Sequence, residues 1–122
     1  MSDAQINIST NVLDENLGLI SAAGYINNEG GQAVADAAEE LVGKGCSSLL
    51  IDLEGTRIIN SIGVSILLEI MEKLMDNDGV LAFCNLTPTI AKTFEIMGLD
   101  QYARVFPDRE VAVNAFASDA TS

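Results

Sequence analysis

Histidine is absent from the 122 residues, so it has no part in any catalytic or metal site. Cysteine is scarce. Cys46 and Cys84 lie far apart and fit no metal-ligand spacing, and a reduced, intracellular setting is the simpler reading. Positive charge is scarce too: six basic residues against 18 acidic ones give a net charge of −12. That balance argues against nucleic acid or an anionic membrane surface as a partner. No apolar run approaches the roughly 18 residues of a membrane span. The opening MSDAQINIST has neither basic residues nor an apolar core, so no signal peptide is expected. A glycine-rich phosphate loop with its lysine is also missing. What is present is a chain 48% hydrophobic, long enough for one domain around one core, with a frayed tail expected from about residue 118.

The most informative stretch runs from Ser48 to Leu74. Leu49, Leu50 and Ile51 form a continuous apolar run closed by Asp52 and Leu53, which suits a strand buried on both faces. A loop from Glu54 to Asn60 follows. A helical pattern begins at about Ser61, with Gly63, Leu67, Ile70 and Leu74 on one side and Ser65, Glu69, Glu72 and Asp76 on the other. The start of such a helix has free N–H groups and a partial positive charge, and it accommodates a phosphoryl group. Asn60 and Ser61 are both good capping residues, and on spacing alone a plain cap is the favoured reading, since caps are common and phosphosites rare.

The rest of the chain reads as alternating elements. Ile6, Ile8 and Val12 alternate with polar residues, a half-buried strand. Asp14 to Asn16 is a polar turn, and Leu17 to Tyr25 a second strand, antiparallel to the first because the connection is short. Asn27 to Gly31 reads as a loop and Gln32 to Val42 as a helix with Val34, Ala37, Ala38 and Leu41 inward. Asp76-Asn77-Asp78-Gly79 reads as a turn, since its spacing does not match a calcium loop. Val80 to Asn85 is another buried strand. Thr87-Pro88 opens a helix with Ile90, Ala91, Phe94 and Met97 inward, ended by Gly98. Ala103 to Phe106 is a short edge strand, and Asp108 caps a last helix carrying Val111, Ala112, Ala115 and Phe116. Strands separated by single helices pair in parallel. The expected fold is α/β: a mixed sheet opened by an antiparallel hairpin, with helices mainly on one face.

The segment Ile59-Asn60-Ser61-Ile62-Gly63-Val64, following an Ile-Asp-Leu strand, resembles the signature of STAS domains, which include the bacterial anti-sigma factor antagonists. The stretch from Thr87 to Leu99 is similar to the family's third helix. Asn60 stands where the family usually has Asp, and Ile62 where it has a small residue. The resemblance covers nearly the whole chain and implies the same fold. It places Ser61 as the residue phosphorylated by a serine kinase that is also the anti-sigma factor, with a serine phosphatase to reverse it. Unmodified protein then binds the kinase and frees a sigma factor. The partner surface expected around Ser61 comprises Asn60, Ile62, Gly63, Val64 and Leu68. Val64 and Leu68 are expected to be partly exposed, because the apolar arc is wider than one sheet contact needs; a covering neighbour helix is the other reading.

Ser61 has no histidine to activate it and lacks a nucleophile-elbow pattern, so an enzyme is not expected, and no cofactor is implied. The departures at Asn60 and Ile62 keep open a second class: a non-switching STAS scaffold or subunit of a larger complex, stressosome-like or lipid-transport. The small residues Ser21 to Gly24 leave room for a small-ligand site as a third reading. The resemblance and the composition together imply a cytoplasmic protein.

Overall fold

Alternation along one strand organises the whole molecule. In the computed structural model, which describes residues 6–13 and 16–121 and the side chains as far as 117, Ser48–Gly55 forms strand β3 at the centre of a five-stranded sheet. The other strands are β1 Asn7–Val12, β2 Leu17–Ala23, β4 Leu81–Cys84 and β5 Arg104–Phe106. Their spatial order is β1-β2-β3-β4-β5. β1 and β2 are antiparallel, and every later pairing is parallel, with Ile20 beside Ile51 and Ile51 beside Phe83. The polar turn expected at Asp14 and Glu15 lies outside the described residues.

Successive side chains of a strand point to opposite faces. Leu49, Ile51 and Leu53 therefore join the larger core, built with Ile20, Leu81 and Phe83 under helices α1 Asn28–Gly43, α2 Ser61–Asp76 and α3 Pro88–Met97. Phe83 and Phe94 meet edge to face, 4.8 Å between centroids. Leu50 joins the smaller core on the other face with Leu17, Leu19, Ala82 and Cys84, covered by helix α4 Arg109–Thr121 through Ala112 and the half-buried Val113 and Phe116. Three helices on one face and one on the other is the arrangement expected. Cys46 is buried in the larger core and Cys84 in the smaller, and neither is in a disulfide. The Cys84 thiol is pushed up to about 12 by burial and by the negative charge of Asp52.

Asp52 is a buried charged group on the second face. Its carboxylate Oδ1 accepts hydrogen bonds from the Glu54 N–H (3.0 Å) and the Asn85 amide (3.1 Å). Its Oδ2 accepts from Arg109 Nη2 at 2.8 Å, and the same guanidinium reaches Ser21 Oγ at 3.2 Å. Burial raises the pKa of Asp52, but the Asn85, Glu54 and Arg109 hydrogen bonds and the Arg109 charge outweigh it, so the group titrates below its ordinary 3.8. Arg109 stands in the first turn of α4, so this pair fastens that helix to β3.

Several expectations need correction. α1 begins at Asn28, not Gln32: the stretch Asn27 to Gly31, expected as a loop, is the cap and first turn. Asn27 Oδ1 accepts the Gly30 N–H at 2.8 Å. A side chain on Gly31 would meet Ile66, so glycine there serves helix–helix contact instead of a turn. β4 is shorter than expected because Asn85 turns to φ 60° and leaves the sheet. In α3 only Ile90 and Phe94 are buried; Ala91 is exposed and Met97 is 42% exposed. In α4, Val111 is exposed, and the helix continues to Thr121, beyond the expected end near 118. The largest correction is Val64. It is 0% exposed, because α2 is covered by α1 as well as by the sheet, and its buried arc takes in Val64 and Met71 beside the column Gly63, Leu67, Ile70 and Leu74.

Two outcomes follow. Val64→Lys places an unpaired charge in the core and lowers stability by about 3 kcal/mol or more; an unchanged melting temperature in thermal unfolding contradicts that burial. Asp52, with its folded pKa depressed, contributes stability fully above the unfolded value near 3.8 and loses it as pH falls through the folded value. Chemical denaturation between pH 2 and about 6 should therefore show a steep acid limb that Asp52→Asn flattens.

Candidate functional site

The junction between β3 and α2 is built by stitching two loops together. After β3, Thr56 is buried and donates its hydroxyl to the Ala22 carbonyl at 3.0 Å. Ile26 then donates its N–H to the Ile58 carbonyl (3.0 Å) and accepts from the Asn60 N–H (3.1 Å), extending the β2–β3 pairing by one bridge between Ile26 and Ile59. Asn60 arrives in extended conformation, φ −100°, as the N-cap of α2. Its Oδ1 accepts the Gly63 N–H at 2.8 Å and its carbonyl accepts the Val64 N–H at 2.9 Å. A side chain on Gly63 would collide with the Ile26 carbonyl, so only glycine lets the first turn of α2 settle there. The α1 start repeats the device, Asn27 capping Gly30 as Asn60 caps Gly63.

Ser61 is the first residue of α2 and is exposed. A helix start leaves its first N–H groups without intrahelical partners, and the aligned peptide dipoles make that end partially positive. Asn60 satisfies Gly63, while no acceptor among the described residues takes the N–H groups of Ser61 or Ile62. No acidic residue stands in the first turn to oppose an incoming anion. Ser65, one turn on, donates its hydroxyl to the Ser61 carbonyl at 3.0 Å, so its own oxygen lies along the helix wall and not at its end.

The residues expected around Ser61 divide into two layers. Asn60 is half-buried and Ile62 is 54% exposed, both at the surface beside Ser61. Leu68, seven residues on along the same stripe, is half-buried against the core. Gly63 and Val64 lie beneath, closed to a partner. The exposed apolar side chains near Ser61 in sequence are instead Ile62 and Ile58, which is 58% exposed and escaped the sequence reading. The signal was present: in an extended Ile58-Ile59 pair one side chain must point outward, and Ile59 is buried. Among the described residues no cluster of side chains could hold a metal ion, and no helix is long and apolar enough to cross a membrane.

The chain is 29% identical over 93 residues to the candidate anti-sigma factor antagonist BtrV of Bordetella bronchiseptica, covering 76% of this chain and 80% of BtrV. An anti-sigma factor antagonist from Mycobacterium paratuberculosis shares the fold with a TM-score of 0.81 at 24% identity, over 93% of this chain and 96% of its own. The Bacillus cell fate determinant SpoIIAA, in its phosphorylated form, does so with a TM-score of 0.72 at 17% identity, over 90% of this chain and 99% of its own. The STAS domain family model matches residues 7–112, from β1 into α4, and the chain belongs to that family.

Proposed function

We propose that this chain is an anti-sigma factor antagonist that acts in the cytoplasm by partner switching. Its unphosphorylated form binds a serine kinase that is also an anti-sigma factor, and a sigma factor is released. The observation that carries this reading is the setting of Ser61: an exposed hydroxyl at the first position of an Asn60-capped helix, flanked by exposed Ile58 and Ile62. The relationship to BtrV supports the antagonist role, and the SpoIIAA likeness supports a fold that tolerates phosphorylation.

The chemistry is a transfer onto Ser61 Oγ. The kinase moves the γ-phosphoryl group of ATP to that oxygen, and ADP and the hydroxyl proton leave. The product carries about −1.5 to −2 charges at neutral pH. Within this protein the open N–H groups and the helix dipole stabilise them, so the fold persists. Across the interface the same charges fall beside Ile58, Ile62 and Leu68, which a partner covers with apolar surface. Desolvating a dianion there is costly, and the complex dissociates. A serine phosphatase removes the phosphoryl group and restores binding. The chain is thus a substrate and regulator, without catalysis or a cofactor of its own. Asn60 and Gly63 shape the helix start, while Val64 supports it from below.

Intact mass before and after incubation with the cognate kinase and ATP tests the reading. Wild type should gain one phosphoryl group, and Ser61→Ala none while still binding the kinase. Ser61→Asp should fold normally and bind about two decades more weakly. Full phosphorylation of the alanine variant, or undiminished binding by the aspartate variant, would leave the non-switching scaffold as the better account. At the docking surface, Ile62→Lys should weaken the complex with the melting temperature nearly unchanged, the opposite of Val64→Lys.

A further inference from the structure

Near their starts α1 and α2 are in close contact, where Gly31 meets Gly63 and Ile66. Past that contact, toward the C-terminal ends of both helices, a groove of about 680 Å³ opens between them. Its floor is apolar, formed by Ala35, Ala38, Ile66, Ile70 and Leu74. Its walls are acidic: Asp36 and Glu39 from α1, Glu69 and Asp76 from α2, all exposed, with Lys73 the one basic residue in the lining. The C-terminal ends of both helices add partial negative charge at the same end. Ser61 is not part of the lining. The lined part of α1, from Gln32 to Val42, spans about 15 Å at 1.5 Å per residue, the length of about three helical turns.

We propose that this groove is a second docking site, separate from Ser61, for a basic amphipathic helix of a partner protein. An apolar floor bounded by acidic walls suits a helix with leucine-like anchors at i, i+3, i+4 and i+7 and lysine or arginine on both flanks. The anchors cover Ile66 and Ala35, which are only half-buried in the free chain, and the flanking cations meet Glu39 and Glu69. Charge complementarity selects the basic helix over a neutral or acidic one, and over a second copy of this chain, none of whose helices is net basic. With both surfaces available, a partner bound here stays attached whatever the state of Ser61.

The probe is a synthetic 12-residue peptide with that leucine pattern and lysine flanks, and its counterpart with glutamate for every lysine. Both are titrated into the isotopically labelled full chain and followed by amide chemical shifts. The lysine peptide should shift amides along the facing sides of α1 and α2, and the glutamate peptide none. Glu39→Lys combined with Glu69→Lys should weaken binding by about tenfold. Ala35→Leu, which fills the floor from a half-exposed position, should weaken it independently, and Ser61→Asp should leave it unchanged. Melting curves check that each variant folds. Equal binding of the two peptides, or shifts scattered over the acidic surface, overturns the proposal. So does sensitivity to the charge reversals without sensitivity to Ala35→Leu, which marks diffuse attraction to an acidic protein. None of these outcomes depends on whether Ser61 is phosphorylated.

Discussion

Ile26 is the residue on which the starts of α1 and α2 hang. Its N–H binds the Ile58 carbonyl, its own carbonyl binds the Asn60 N–H, and the backbone of Gly63 rests against that same carbonyl. The next residue, Asn27, caps α1. One fully buried side chain thus sits where the end of β2, the approach to α2 and the start of α1 converge. Two helix starts are fixed relative to each other by main-chain contacts, which vary less with side-chain motion than packing alone. Ser61, next to Asn60, begins its helix on that frame.

Within five consecutive residues the chain divides its tasks by depth. Asn60 satisfies the helix start, Ser61 and Ile62 face outward, and Gly63 and Val64 belong to the core. Buried and exposed positions are therefore adjacent in sequence but open to substitution separately. The second face shows the same economy with opposite chemistry. There a buried carboxylate, Asp52, is surrounded by donors from three separate segments, among them Arg109 at the start of α4.

Much of this was legible because local pattern and tertiary demand agreed. The Leu49 to Ile51 run suited a strand covered on both faces, and the apolar column from Gly63 to Leu74 suited a helix beginning near Ser61, as both are. Where they disagreed, the sequence misled. Gly30 and Gly31 read as loop residues because glycine lowers helix propensity, yet they were there to let α1 approach its neighbours. Val64 read as a border residue because periodicity measures the width of an apolar arc and not the number of elements covering it. The Asp52–Arg109 pair joins positions 57 apart, and no local signal announces such a contact. Ile58 was hidden by the assumption that a loop has no inside and outside.

The two cysteines have a consequence for how the molecule breathes. Each is sealed in a different core, Cys46 beneath the three-helix face and Cys84 beneath α4. A thiol reacts only as the exposed thiolate, so neither is modified while its layer stays shut. Their two labelling rates are separate clocks for the two faces. If α4 lifts away more often than the larger core opens, Cys84 would be consumed first, and the wild-type chain would report on its own layers without an added probe.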